Sequence, residues 1–277
     1  MTANTRPDAT PETPAEGSPA AFYNSLAPSY DGMVDVERRV AQAGRLVEAL
    51  RQRFAPMPPR GIDLGCGTGA YTCALAAAGY TAAGLDIAAD MLVQARANTR
   101  RLGLQATYAC GTLEDLPAPF EPGQAGLVLC LGNTLPHLVE PGALQRACRG
   151  LAALLERRGL AVIQVLNYDR ILERRERVVS VDRDEHAAFV RFYDFLPDGL
   201  VRFNLLRTTW DGREGRPEPL RSVTLRACRR ADLEDAARQA GLTTVCCAGD
   251  LALNPFDPAA SETLLMALRP AVAAAEA

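Results

Sequence analysis

The spacing of apolar and polar positions changes along the chain, and each change marks a different kind of element. From 36 to 54, Val40, Ala43, Val47, Leu50 and Phe54 recur at helical intervals, and the run stops at Pro56, Pro58 and Pro59, which cannot continue a helix. Residues 61–64, 81–85, 106–110, 127–131 and 160–166 are short apolar runs, as strands covered on both faces require. The stretches 70–78, 87–92 and 141–157 between them read as helices, with Gly79 placed to end the first. Strands alternating with helices predict a doubly wound parallel sheet. The interval then falls to two. Val190, Phe192, Val201, Phe203 and Leu205 alternate with polar residues, so 177–181, 188–195, 200–210 and 220–226 read as four antiparallel strands. Pro197-Asp198-Gly199 and Asp211-Gly212 are hairpin signals between them. A helix capped by Asp232 and ended by Gly241 returns, and strands at 242–248 and 264–268 follow. The expectation is an α/β fold with a mostly parallel seven-stranded sheet, spanning 20–277, with an antiparallel insertion at about 174–228 after the fifth strand. The proline-rich stretch 1–19 is expected to be a disordered tail, and the aromatic stretch 22–31 to be short and broken by Pro28.

One stretch carries candidate chemistry beyond folding: Ile62-Asp63-Leu64-Gly65-Cys66-Gly67-Thr68-Gly69-Ala70. It reads as a strand end, a bare backbone turn and a helix start. A ligand can press against glycine, and the helix start presents free N–H groups. Gly65, Gly67 and Ala70 also satisfy the dinucleotide pattern G-x-G-x-x-G/A, so the glycines alone leave a nicotinamide dinucleotide open. Asp63 tilts the choice, because a carboxylate beside the turn repels a diphosphate and suits an ammonium or a sulfonium. Asp86 ends the next strand about 20 residues on, the place from which an acid accepts ribose hydroxyls in either kind of site.

Composition narrows the rest. A net charge of −3 gives no reason to expect a nucleic-acid partner. No apolar run approaches the roughly 20 residues of a membrane span, and the first residues lack a signal-peptide pattern. Eight cysteines form no C-x-x-C pair and there are two histidines, so no metal site is expected; buried free thiols in the cytoplasm are the reading. Nothing in the sequence decides an oligomeric state.

The stretch Asp63-Leu64-Gly65-Cys66-Gly67-Thr68-Gly69, together with Asp86 and Cys130-Leu131-Gly132-Asn133, resembles the class I S-adenosylmethionine-dependent methyltransferases. Asn167-Tyr168-Asp169-Arg170 is more narrowly similar to the glycine N-methyltransferase-like branch. The resemblance implies the Rossmann-like methyltransferase fold, S-adenosyl-L-methionine as cofactor with S-adenosyl-L-homocysteine as product, and a small-molecule acceptor methylated at N or O. It implies that Asp63, Gly65, Gly67, Gly69, Asp86, Ile87, Met91, Thr112, Leu113, Leu131 and Gly132 surround the cofactor. It further implies that Arg39 holds its carboxylate and that Tyr30 approaches its methyl end. Asn133, His137, Asn167, Tyr168, Arg170 and Tyr193 are implied on the acceptor side, with His137 and Tyr168 as the catalytic candidates. His137 is also open to a second reading, a neutral histidine that orients its loop. Two departures matter. Thr112 stands where many relatives carry an acid toward adenine. Leu166 stands where that branch carries an arginine for the substrate carboxylate, so glycine itself is not the expected acceptor. A dinucleotide-dependent oxidoreductase and a non-catalytic S-adenosylmethionine-binding protein are the alternatives.

Overall fold

The computed structural model describes residues 17–271 apart from 34–35, 55–56, 118–119, 184–185 and 211–213, and it describes no side chains for 28–33. The expected tail lies outside these residues up to position 16, as does the Asp211-Gly212 turn. The chain opens with α1 (Pro19–Met33) and α2 (Val36–Phe54). α2 has the predicted bounds and buries Ala43, Leu46, Val47 and Leu50. α1 corrects the expectation of a short segment broken by Pro28, since one helix runs through that position. A proline inside a helix removes one ladder bond and crowds the carbonyl four residues before it. Phe22, Leu26 and Ala27 bury the helix against the core, and this packing outweighs the lost bond.

The main sheet contains β1 (Arg60–Leu64), β2 (Thr81–Asp86), β3 (Thr107–Cys110), β4 (Ala125–Cys130), β5 (Leu155–Leu166), β11 (Leu242–Ala248) and β12 (Thr263–Pro270). Its order is β11-β12-β5-β4-β1-β2-β3. The five strands from β5 to β3 pair in parallel, whereas β12 runs antiparallel between β5 and β11. Four helices connect or flank these strands: α3 (Ala70–Ala77), α4 (Ala89–Arg101), α5 (Ala143–Leu154) and α7 (Arg230–Gln239). This is the predicted mostly parallel seven-stranded α/β fold. Its central strand β4 is buried at every position.

Several element ends shift by a few residues from the sequence reading, and two of the differences have a clear physical reason. The helix expected to reach 157 ends at Leu154, and Leu155 instead pairs with Ala125 at the start of a long β5. Asp232 does not cap α7 from the N-cap position. It is the third helical residue, and its carboxylate accepts from the Arg229 N–H at 3.0 Å. One short helix, α6 (Tyr168–Arg174), was not foreseen; Asn167 caps it by accepting from the Arg170 N–H.

The inserted strands form a second antiparallel sheet, β10-β8-β7-β6, from β6 (Val178–Arg183), β7 (Ala187–Phe195), β8 (Leu200–Trp210) and β10 (Arg221–Arg226). A fifth strand, β9 (Gly215–Pro217), pairs with the end of β8 and had no signal in the alternation. Phe189, Tyr193, Val201, Leu205, Val223 and Leu225 from this sheet join the same buried cluster as Phe22 and Leu26 of α1 and Tyr168 of α6. The second sheet therefore shares the core of the main one. Arg226 of β10 also donates to the backbone carbonyl of Val139 at 2.6 Å, tying this sheet to the loop after β4.

Candidate active site

β1 delivers the chain to the glycine turn, and the N–H groups of Gly65 and Cys66 donate to the Leu85 carbonyl at 2.7 and 2.9 Å. The turn is thereby pinned to the end of β2. Gly65 has φ of 74°, and a Cβ there would lie 2.4 Å from Thr134 Cγ2. Only glycine fits that contact. Gly67, at φ 52°, is different: a Cβ there would meet nothing within 4 Å, because the turn faces open space. Asp86 closes the arrangement. Its Oδ2 accepts from the Gly67 N–H at 2.7 Å, and its Oδ1 accepts from the Ala88 N–H at 2.9 Å. Burial raises the Asp86 carboxyl above its ordinary value, and the backbone donors Ala88, Gly67 and Ile87 oppose that rise.

The open space is a cleft of about 330 Å³ beyond the carboxyl ends of β1, β2 and β4. Arg39, Gly65, Gly67, Asp86, Ile87, Met91, Thr112, Leu113, Leu131, Gly132 and His137 line it, as the sequence reading placed them. Thr112 turns its hydroxyl to its own loop, accepting from the Asp115 N–H at 3.2 Å. Ile87 is 41% exposed, an apolar side chain left without protein cover at the cleft.

Several predicted residues are elsewhere. Asp63 does not line the cleft. It is buried beneath the turn, where Thr72 Oγ1 donates to its Oδ2 at 2.8 Å. Burial raises its carboxyl to about 7; Asp86 adds to the rise, while Thr72 and, more weakly, Arg39 oppose it. Gly69 begins α3 and backs onto Tyr108 and Ala95. Tyr30 lies in α1, but its side chain is outside those described.

The acceptor-side expectations need the largest correction. Of Asn133, His137, Asn167, Tyr168, Arg170 and Tyr193, only His137 reaches the cleft. Tyr168 and Tyr193 are each 1% exposed and belong to the core shared by the two sheets. Asn133 donates to Tyr168 Oη at 3.0 Å. Asn167 donates to the carbonyls of Pro258 and Ser261, and Arg170 to those of Ala260 and Ser261 and to Glu176. Asn133, Asn167, Tyr168 and Arg170 follow the carboxyl ends of β4 and β5 in sequence, but their side chains bond away from the cleft, and Tyr193 lies on β7. Tyr168 therefore cannot serve as a catalytic group from this position.

The structure adds lining residues that sequence reasoning missed: Pro19 and Tyr23 of α1, and Val139, Glu114 and Glu140. The aromatic stretch around Tyr23 was the available signal, but the reading singled out Tyr30 seven positions later. Tyr23 Oη lies 3.0 Å from His137 Nε2, and the two rings meet edge to face at 5.3 Å. His137 follows Leu135 and Pro136 in a single 3-10 turn (Leu135–His137). Its Nδ1 is buried without a hydrogen-bond partner, and burial lowers its pKa to about 4. The ring is neutral at pH 7. Among the described residues, no group of three or more His, Cys, Asp or Glu side chains is placed to hold a metal ion. No helix among them is long and apolar enough to cross a membrane.

Comparison with known proteins fits this geometry. Residues 62–159, which include the glycine turn, Asp86 and the loop carrying His137, match a family described as a methyltransferase domain. The ubiquinone biosynthesis O-methyltransferase of Methylococcus capsulatus is 38% identical over 93 residues, which are 34% of this chain and 38% of that protein. The chain spans less than half the length of the curated relatives it matches, 38% and 48% for two of them. An S-adenosylmethionine-dependent methyltransferase from Clostridium acetobutylicum superposes with a TM-score of 0.74 at 17% identity, covering 90% of this chain and 99% of that one. CalS10, an amino pentose methyltransferase from Micromonospora echinaspora solved with S-adenosylmethionine bound, gives 0.63 at 19% identity, covering 83% and 91%. These likenesses, at under 25% identity, show the fold: the chain has the class I, Rossmann-like methyltransferase fold.

Proposed function

We propose that the chain is an S-adenosylmethionine-dependent methyltransferase that methylates a small-molecule acceptor at nitrogen or oxygen. The observation that carries this reading is the open backbone of Gly67 facing the Asp86 carboxylate in a largely apolar cleft. The residues fit the cofactor. The two Asp86 oxygens each take one backbone N–H and keep lone pairs for the hydroxyls of a ribose. Ile87, Met91 and Leu113 offer apolar faces for an adenine ring. Arg39 alone among the described lining residues is cationic, which suits one carboxylate better than a diphosphate. The activities named for the Methylococcus relative and for CalS10 support a small-molecule acceptor.

The cofactor, when bound, supplies a methyl group already activated on a sulfonium. The chain's task is then to hold the acceptor's lone pair in line and keep water out, an effect worth about 7–11 kcal/mol in favourable cases. The wall made by Tyr23, His137, Leu138 and Val139 is the acceptor side in this reading. Its polar pair, Tyr23 and His137, is uncharged, so it receives an uncharged nucleophile without an electrostatic penalty. The same pair is placed to orient, or to accept, the proton of a hydroxyl acceptor.

Titration calorimetry with S-adenosylhomocysteine and with NADH tests the reading. We expect binding of the first, none of the second, and a loss on the order of 1.5–3 kcal/mol for Asp86→Ala, which removes hydrogen bonds to a charged group. Binding of NADH alone would reject it.

A further inference from the structure

Residues 131–134 form one wall of the cleft. Leu131, Gly132 and Thr134 line it, and Thr134 presses on Gly65 of the glycine turn. Asn133, between them, is bonded away from the cleft. Its Oδ1 accepts from the Leu166 N–H and its Nδ2 donates to Tyr168 Oη, both at 3.0 Å. Its backbone has φ of 65°, a left-handed conformation that asparagine tolerates better than other non-glycine residues and that its two side-chain bonds hold here. Tyr168 Oη in turn lies 3.4 Å from Tyr193 Oη on β7, a long contact between two fully buried rings. A continuous chain of polar groups thus runs from the cleft wall to the second sheet.

We propose that Asn133 and Tyr168 are positioning residues that fix the 131–134 wall in the shape that receives the cofactor, with Tyr193 as a weaker anchor in the second sheet. The proposal rests on the cofactor reading above. Without the Tyr168 hydroxyl, the part-buried Asn133 amide loses its acceptor. The cheapest escape is rotation of that side chain, which releases the Leu166 bond and the left-handed backbone together. Gly132 and Thr134 then shift, and both line the cleft. The Gly132 N–H is also held by Gln164 Oε1 at 2.8 Å, so the wall loosens without collapsing.

The test is calorimetric affinity for S-adenosylhomocysteine, with thermal unfolding measured in parallel. The variants are Tyr168→Phe, Asn133→Gly, Tyr193→Phe, and the double variant of the first two. Asn133→Gly allows the positive φ but deletes the tether. We expect Tyr168→Phe and Asn133→Gly each to raise Kd about five- to tenfold. The double variant should lose no more than the worse single, because one bond is cut twice. Tyr193→Phe should change Kd less than twofold. A purely structural role would lower Tm and leave the affinity of the folded protein unchanged. Folded Tyr168→Phe binding within twofold of wild type, or losses that multiply in the double variant, would overturn the proposal. Should Tyr168→Phe fail to fold, Asn133→Gly decides by the same twofold limit. A wild-type protein that binds no S-adenosylhomocysteine removes the cofactor reading itself, and this proposal with it.

Discussion

Asp63→Asn should remove a large pH-dependent contribution to stability at the heart of the fold. In the native protein the Asp63 carboxyl titrates near 7, pushed up first by burial, against an ordinary value of 3.8. The native state therefore holds this proton more tightly than the unfolded chain. The contribution to stability is fully present below pH 3.8, declines as pH rises, and is gone above pH 7. At 1.36 kcal/mol per pH unit the whole span is worth about 4 kcal/mol, of which about 3 kcal/mol falls between pH 5 and pH 8. Asparagine keeps the shape and can still accept from Thr72 Oγ1, but it has nothing to titrate. It also brings a buried amide donor, at a pH-independent cost of about 1–3 kcal/mol. The difference in unfolding free energy, variant minus wild type, should thus move in the variant's favour by about 3 kcal/mol from pH 5 to pH 8. Urea denaturation of the ligand-free proteins at the two pH values measures it. Other titrating groups are common to both proteins and cancel. A difference that stays constant between pH 5 and 8 would refute the argument that Asp63 is a desolvated carboxyl with no charge partner strong enough to keep it ionised.

The two inner glycines should separate stability from binding. Gly65→Ala drives a Cβ into Thr134 in a left-handed backbone and should cost several kcal/mol in urea denaturation, on the order expected for overpacking plus strain. Gly67→Ala meets no atom and should cost only about 1–2 kcal/mol, yet it should weaken cofactor binding in calorimetry by more than that. His137 has its pKa lowered to about 4 by burial, so its contribution to stability is present above pH 6.5 and is lost as pH falls through 4; His137→Gln should flatten the acid limb of stability in that window.

Much of the scaffold could be read directly from residue order. β4 is a continuous apolar run, β1, β2 and the second half of β5 are mostly apolar, and the insertion announces itself by alternation at Val201, Phe203 and Leu205. Local preference misled where pairing overrode it. Leu155-Glu156-Arg157-Arg158 is good helical sequence, but the edge of β4 offered Leu155 a partner and the segment became strand. The wall of the cleft around the glycine turn and Asp86 was legible because glycine turns and an acid at a strand end have few other uses. The expected acceptor side was not. Asn133, Asn167 and Tyr168 occupy the correct strand ends, and one-dimensional order cannot tell whether a residue there faces the crevice or the core behind it. Tyr23 enters from a helix more than 100 positions away from His137 in sequence, a juxtaposition set only by packing.

The placement of β12 has a consequence for synthesis. This strand lies between β5 and β11, yet its residues follow nearly all the rest of the described chain. While translation is under way, β5 has no neighbour on that flank, and its unpaired backbone is a template for other nascent polypeptides. Such late, long-range closure is slow and aggregation-prone. The finished register can lock only after residues 263–270 have left the ribosome, which makes yield sensitive to substitutions in β12 that leave the folded protein's cleft untouched.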